Sequence, residues 1–297
     1  MANRLLVLFL FAFGVVSAQN SNKYPVRFSQ YFSYLPIISP SSVPSDSKLD
    51  LSSGQQNYMG PFSMVRTLFA TANATFKNGN ENNHGIGLLF LSEKEGALLS
   101  LNRVYLQYAY VHRLSSNLSI SVGVKAGMAK FTAEQTASSM SLSSVVPDGA
   151  VSIELRGGES RFGVCINQLL NSKLKADVQY LILKRYASFY GSKKKDLSPS
   201  VTFVLSYALR ITSPPTINGD ITPAILLKDR VIAGLGYGNG FGRGLSLFLG
   251  VKNLDLFGGR FSTLISYNSP YLSSTLANIQ TVEVSVNFHF KSFDDIK

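Results

Sequence analysis

The stretch TVEVSVNFHFK, residues 281–291, decides the fold of this chain because its apolar and polar residues alternate strictly. The apolar set is Val282, Val284, Val286, Phe288 and Phe290, and the polar set is Glu283, Ser285, Asn287, His289 and Lys291. Successive side chains of a strand point to opposite faces, so one face is apolar and the other polar. In a soluble protein the apolar face would pack into a core. In a transmembrane barrel it contacts lipid while the polar face lines the lumen.

The composition and the rest of the chain favour the membrane. Of 297 residues, 45% are hydrophobic and only 15% are charged, whereas about a quarter are charged in soluble domains. After residue 18 no apolar stretch approaches the roughly twenty residues of a membrane helix. Trp is absent, but 14 Tyr and 20 Phe can supply the aromatic girdles of a barrel.

The alternation recurs along the chain, for example in residues 118–128, 201–210 and 245–252. We therefore predict an all-β fold, an antiparallel transmembrane β-barrel of about 14 strands over residues 49–291. The predicted strands start near Leu49, Ser63, His84, Leu99, Asn117, Asp148, Arg161, Leu181, Leu197, Asp220, Arg230, Gly244, Arg260 and Ile279. Many positions on the inward face are Gly or Ser, which suits a crowded or ligand-filled interior.

Loop lengths predict the orientation of the barrel, since bacterial barrels have short periplasmic turns and longer external loops. The predicted periplasmic turns lie at residues 115–116, 157–160, 192–196 and 228–230, with a somewhat longer one before Arg260. The predicted external loops lie at residues 132–147, 170–180, 212–219 and 269–278. Two early external connections, near residues 59–62 and 94–98, are short and depart from this pattern.

Lys193, Lys194 and Lys195 fall in the predicted turn at residues 192–196. They are interpreted either as a solvated charged run or as a docking site for an acidic periplasmic partner.

The N-terminal region precedes the barrel and has a different character. A positive start, the apolar run LLVLFLFAFGVV and the small residues Val16-Ser17-Ala18 predict a cleaved signal peptide over residues 1–18. Residues 19–48 lack alternation and are interrupted by Pro36, Pro40 and Pro44, which predicts an irregular periplasmic arm. Its aromatic residues indicate either a plug that enters the lumen from the periplasmic side or a segment that packs against a partner. Residues 292–297 are a predicted periplasmic tail.

Several kinds of site are not expected. A single cysteine, Cys165, excludes an intramolecular disulfide, and the three histidines are too scattered to predict a metal site. No nucleotide-binding or catalytic motif appears. GYGNGFGRG at residues 236–244 superficially resembles a glycine-rich phosphate loop. It joins two alternating segments rather than a strand and a helix, so it predicts a hairpin tip. We expect no cofactor. The formal charge of +11 would suit binding to nucleic acid. The predicted location in the outer membrane argues against nucleic acid as a partner and favours outer-membrane lipid.

Five charged residues are expected to face the lumen or a partner: Lys125, Arg210, Lys252, Glu283 and His289. Buried lysines would be unfavourable in a sandwich core but are acceptable in an aqueous lumen. The basic residues would either receive an acidic segment of a cargo protein or be neutralised by Glu283 and Glu154.

The order of several short motifs resembles the PorP/SprF family of type IX secretion outer-membrane proteins. FSQYFSYLPIISP at residues 28–40 resembles the family's opening signature, through Phe28, Ser29, Gln30, Tyr31 and Pro36, with Pro40 in its second half. That second half departs from the family's Asn-Pro-Ala-x-x-Gly element, since Ser39-Pro40-Ser41 replaces its first part. YLQYAYVHRLSSNLSISVGVKAG, LSPSVTFVLSYAL, LLKDRVIAGLGY and VEVSVNFHF follow in the family's order, so the resemblance covers nearly all of the mature chain.

The resemblance implies a role that periodicity does not show. It implies a non-enzymatic outer-membrane component of type IX secretion and gliding motility in Bacteroidota, a Gram-negative phylum. Its partners would be a secreted cargo protein with a dedicated C-terminal domain, for export and surface attachment, and subunits of the secretion machine. The signature residues of the arm are then candidates for binding the partner. The alternatives are a passive or substrate-selective porin and an outer-membrane phospholipase, although no serine is singled out beside His112 or His289.

Overall fold

The computed structural model describes residues 22–25, 28–43, 48–78, 82–133, 142–176, 179–212, 216–239, 244–256, 258–270 and 280–290. The strands in these ranges are β1 (Asn22–Lys23), β2 (Leu49–Tyr58), β3 (Arg66–Asn78), β4 (Asn82–Glu95), β5 (Leu99–Ser115), β6 (Leu118–Ala133), β7 (Leu142–Gly157), β8 (Ser160–Asn167), β9 (Lys173–Ala176), β10 (Gln179–Leu183), β11 (Tyr186–Ser198), β12 (Val201–Ile211), β13 (Ile217–Leu227), β14 (Val231–Gly238), β15 (Gly244–Leu256), β16 (Gly259–Pro270) and β17 (Thr281–Phe290). Short 3-10 helices span Tyr31–Ser33, Leu35–Ile37, Pro40–Ser42 and Gly60–Phe62. The predicted signal peptide and C-terminal tail lie outside the described residues.

Strands β2–β8 and β11–β17 form a closed barrel of 14 antiparallel strands. The barrel closes where β17 pairs with β2, with Glu283 opposite Gln56 and Phe290 opposite Leu49. The predicted fold class and strand number are therefore confirmed. None of the helices in the described part of the chain has the length and hydrophobicity of a membrane span.

The side chains alternate across the barrel wall as the sequence predicts. In β17 Glu283 is 1% exposed, whereas its neighbour Val284 is 43% exposed. The same inward burial of polar residues extends to β3, whose sequence alternates poorly but whose Thr67 and Thr71 are buried. Large apolar residues cover the outside, where Leu247 and others like it contact lipid rather than a core.

The connections differ in length between the two ends of the barrel. At one end, which we call the short-turn end, each connection between described strands has two or three residues: 79–81, 116–117, 158–159, 199–200, 228–230 and 257–258. At the other end, the long-loop end, the connections are 59–65, 96–98, 134–141, 168–185, 212–216, 239–243 and 271–280. Only 96–98 is as short as the turns opposite. The segregation of short and long connections, on which the predicted orientation depends, is therefore present.

The predicted turn at residues 192–196 is wrong. Lys193, Lys194 and Lys195 lie within β11 and pair with residues of β12, and the turn comes later, at residues 199–200. Pro199 is the first residue of this turn, and proline suits the position because its fixed φ matches a tight turn. The three lysines are exposed near the short-turn end.

The long connection between β8 and β11 contains a hairpin that the sequence did not predict. Strands β9 and β10 pair with each other, and the buried Leu174 and Leu183 pack against Leu101 and Phe131 on the inner face of β5 and β6. The hairpin therefore folds inward at the long-loop end. Strand β1 adds to it in parallel, with Asn22 opposite Ile182.

The arm thus runs through the barrel from end to end. Its first described residues lie beside β10 at the long-loop end, and Val43 lies against the inner face near the start of β4, where a Cβ on Gly85 would meet it at 2.6 Å. From there the chain enters β2 at the short-turn end. Residues 28–43 occupy the lumen between these points, and most of them are buried.

Candidate functional site

The arm is irregular because of its sequence. Pro36 and Pro40 stand in the first turns of two short 3-10 helices, positions where the missing N–H of proline costs nothing. The successive turns shorten the arm to a compact plug instead of a strand. A strand would also present unpaired N–H and C=O groups to the lumen. The predicted irregular arm is therefore seen in residues 28–43.

A buried carboxylate on the last strand holds the first part of the arm. The two oxygens of Glu283 accept hydrogen bonds from the backbone N–H of Ser29 at 2.9 and 2.8 Å and from its hydroxyl at 2.6 Å. The backbone N–H of Gln30 donates at 3.3 Å. Gln56 and Asn268 donate from the wall at 2.7 and 3.2 Å. The described partners of this carboxylate are all neutral donors, and such charge-assisted bonds are stronger than bonds between neutral groups.

The side chain of Gln30 is fully buried and adds three further bonds to the same part of the wall. Its amide nitrogen donates to the hydroxyl of Ser266 at 3.0 Å and to the backbone oxygen of Glu283 at 3.1 Å. Its amide oxygen accepts from the hydroxyl of Ser285 at 2.5 Å. Ser29 and Gln30 of the signature therefore bind the chain's own barrel across more than 230 positions of sequence.

Two aromatic residues of the signature stretch pack on the same side of the barrel, against β3, which lies next to β2. The rings of Phe28 and Tyr34 lie 4.9 and 4.3 Å from the ring of Phe69 on β3, centroid to centroid. A Cβ on Gly54 would meet Phe69 at 2.3 Å, so this glycine gives the ring its space. Tyr31 packs in a separate cluster with Tyr190. These contacts bury large apolar area and fix the arm laterally.

A second buried carboxylate holds the end of the arm. Glu154 accepts from the hydroxyl of Ser42 and from that of Tyr190 at 2.6 Å. Arg156 and Arg161 form ion pairs with the same carboxylate. Because hydrogen bonds and charge pairing both satisfy this acid, its burial is compensated.

The backbone of the arm also contacts the wall directly. The N–H of Ser41 donates to the hydroxyl of Ser152 at 2.8 Å, and its carbonyl accepts from Ser121 at 2.7 Å. A Cβ on Gly123 would lie 2.2 Å from the nitrogen of Ser41. The small inward residues therefore make room for the arm, in line with the crowded interior that the sequence predicts.

The structure does not bring the five predicted lumen charges together. Glu283 binds the start of the arm, while Lys125 donates to the carbonyl of Ile37 at 3.4 Å. Arg210 donates to the carbonyl of Pro25 at 2.9 Å.

The remaining two predicted charges lie at the short-turn end. The backbone N–H of Lys252 donates to the backbone oxygen of Arg230 at 2.6 Å, and Nδ1 of His289 contacts the carboxylate of Asp50. Lys125 is 7% exposed under the arm, so at its level the arm fills most of the lumen.

Three features of the lumen were not predicted: the role of Glu154, its partner Tyr190, and a buried pair between Arg103 and Glu93. All four residues occupy inward positions of their strands. The alternation of inward and outward positions along each strand, which placed Lys125 and Glu283 inside, could also have placed these four residues inside. This alternation does not identify the partner of each charged residue, because the partners come from distant strands and from the arm.

Comparison with known proteins agrees with this architecture. The model of the type IX secretion system membrane protein family PorP/SprF matches residues 20–288. This chain belongs to the PorP/SprF family. The match includes the arm as well as the barrel, and the family and the fold together assign this PorP/SprF protein to the outer membrane as a membrane component of type IX secretion.

Solved structures of other barrels resemble this PorP/SprF protein in fold. The toluene transporter TbuX of Ralstonia pickettii superposes with a TM-score of 0.56 at 8% identity, covering 86% of this chain and 92% of the transporter. The toluene transporter TodX of Pseudomonas putida gives 0.53 at 9% identity, covering 90% and 94%. At such identities the likeness shows the fold alone. Comparison with the curated proteins gave no match.

Proposed function

We propose that this PorP/SprF chain binds, without bond chemistry, the C-terminal domain of a secreted cargo protein or a subunit of the secretion machine. The binding would serve export and surface attachment of the cargo. The observation that carries the proposal is the arm, which fills the lumen and is held by the buried Glu283 and Glu154. A barrel filled in this way suits a binding component better than a channel for free diffusion.

The signature residues themselves are engaged inside the barrel, so the proposed partner surfaces lie at its two ends. At the long-loop end the hairpin of β9 and β10, with the start of the arm beside it, offers a surface for the cargo domain. At the short-turn end Lys193, Lys194 and Lys195 are exposed, and so are Lys228 and Arg230. This basic surface would attract an acidic subunit of the machine from the periplasm.

We also propose that the protein is not an enzyme. A catalytic acid or base needs a free position from which to exchange a proton with a substrate. Glu283 and Glu154 are instead occupied by hydrogen bonds to the arm. On the outer surface His84 hydrogen-bonds Tyr108, and His112 hydrogen-bonds Asn82, contacts typical of an interfacial girdle.

Deleting the gene tests the proposed role in secretion. We expect surface display of one cargo protein, or of a small set, to be lost while general secretion continues. The measurement is mass spectrometry of peptides released by protease from intact cells, with the complemented strain as control. Normal display of every cargo protein in the deletion strain would contradict the proposal.

The porin is the alternative, because structures with the same fold include toluene transporters. We expect the full chain in planar bilayers to show no steady conductance, and a variant lacking residues 23–44 to show an open pore. A steady pore in the full chain would favour the porin. Pull-down of the cargo domain with the same two proteins then tests whether the arm contributes to binding.

A further inference from the structure

A cavity of about 50 Å³ lies between the arm and the barrel wall, toward the long-loop end. Its wall side includes Arg103, Lys125 and Asn167, and its arm side includes Phe28 and Ile37. Since one water needs roughly 10–15 Å³ of such volume, the cavity can hold a few waters or one small organic ion. It is polar on one side and apolar on the other.

Two buried side chains of this cavity have hydrogen-bond donors without an acceptor. Arg103 is fully buried, and Glu93 pairs with its Nη1. Its Nε and Nη2 have no hydrogen-bond partner, and neither has Nδ2 of Asn167, which is 2% exposed. Buried donors are nearly always satisfied in native proteins, so these groups indicate an acceptor that the chain itself does not provide.

The charges of the cavity also favour an anion. Lys125 donates only a long bond of 3.4 Å to Ile37, and its ammonium lies 5.2 Å from the ring centre of Tyr105. Asp148, the acid of the cavity, already accepts from the hydroxyl of Tyr105 at 2.6 Å and from the N–H of Gly149 at 2.7 Å. The cavity therefore holds more positively charged donors than free acceptors.

We propose that this cavity binds a small carboxylate of the size of acetate or propionate. Its oxygens would accept hydrogen bonds from Arg103, Asn167 and Lys125, since a planar guanidinium matches the two oxygens of a carboxylate. Its short alkyl part would lie against Phe28 and Ile37, which favours a carboxylate over inorganic phosphate. The site goes beyond the proposed role in secretion and does not depend on it.

Titration of the detergent-purified full chain with ¹³C-labelled propionate tests this site by NMR, at constant ionic strength with chloride as balancing anion. We expect saturable binding to the native protein. The Lys125→Met variant keeps the length of the side chain but loses the charge, so its affinity should fall about tenfold or more. Lys130→Met is the matched control, because Lys130 lies on the same strand and is exposed on the outer face. Its affinity should not change.

Asn167→Asp gives a second variant of nearly the same shape, in which a new carboxylate should abolish binding by repulsion. Folding of each variant is checked by the shift in gel mobility on heating. Absence of saturable binding to the native protein, or unchanged affinity in a folded Lys125→Met or Asn167→Asp variant, would overturn the proposal. Phosphate that competes more tightly than propionate would overturn the assignment of a carboxylate.

Discussion

At the scale of single residues, Glu283 links the C-terminal strand to the N-terminal arm. It is 1% exposed, and its described partners are neutral donors from the arm and the wall. A buried carboxylate without its donors would carry a large desolvation cost. Each hydrogen bond from Ser29 therefore stabilises the arm inside the lumen and also compensates the charge.

Glu283→Gln should loosen the arm without removing the barrel. The amide keeps the shape of the side chain but replaces one acceptor oxygen with an NH₂ group that faces donors. We expect the unfolding free energy to fall by about 2 kcal/mol or more, the scale of lost hydrogen bonds to a charge. Urea titration in micelles measures the stability, and protease cleavage near Ser29 should become faster.

Glu159→Gln provides the control for this change, because Glu159 is exposed at the turn between β7 and β8. Its stability should match that of the native protein within about 0.5 kcal/mol. Equal stability and equal cleavage of the Glu283→Gln protein would show that the hydrogen bonds to Glu283 do not hold the arm.

At the scale of elements, the arm and the wall fit each other through small inward residues. Gly123 on β6 lies against the backbone of Pro40 and Ser41, where a backbone atom cannot move aside as a flexible side chain can. The neighbouring Ser121 and Ser152 bind the same arm residue through their hydroxyls. Small residues on this part of the wall therefore serve close approach as well as hydrogen bonding.

Gly123→Ala should displace the end of the arm, since its Cβ would lie 2.2 Å from the nitrogen of Ser41. We expect a loss of about 1–3 kcal/mol, typical of overpacking, together with increased hydrogen exchange at residues 40–43. Gly236→Ala is the control, because its Cβ would meet only Ser246 and Thr222 side chains at 3.3 Å or more. Comparable exchange in both variants would argue against a tight fit at Gly123.

At the scale of the whole molecule, the barrel reverses the arrangement of a soluble protein, because its apolar residues face outward. Leu249, at mid-strand in β15, is 56% exposed, and Leu256 near the short-turn end is 44% exposed. In water such a surface would drive aggregation, whereas in a bilayer it matches the acyl chains. The membrane is therefore the solvent that this fold requires.

Leu249→Arg should destabilise the barrel in lipid vesicles by about 2–4 kcal/mol, the cost of an arginine at the bilayer midplane. Leu256→Arg should cost only about 0–1 kcal/mol, because it lies near an interface. Urea unfolding in vesicles, followed by tyrosine fluorescence, measures both. Equal costs at the two positions would show that Leu249 does not lie nearer the bilayer midplane than Leu256.

The sequence alone determined the barrel, its strand number and, wherever the alternation is regular, which side of a strand faces the lumen. These features follow from the two-residue period of apolar and polar side chains. That period can be seen within a single strand, such as residues 281–290, without knowledge of the rest of the chain. It also marked Glu283 and Lys125 as inward residues. The placement of Lys193 in a turn was wrong, because turn position depends on which residues pair across β11 and β12.

Only the tertiary structure decided what those inward residues contact. Ser29 meets Glu283 across 254 positions of sequence, and Ser42 meets Glu154 across 112. The inward fold of β9 and β10 likewise depends on packing against β5 and β6. Alternation assigns a residue to a face but not to a partner, since partners are chosen by the three-dimensional path of the arm through the closed barrel.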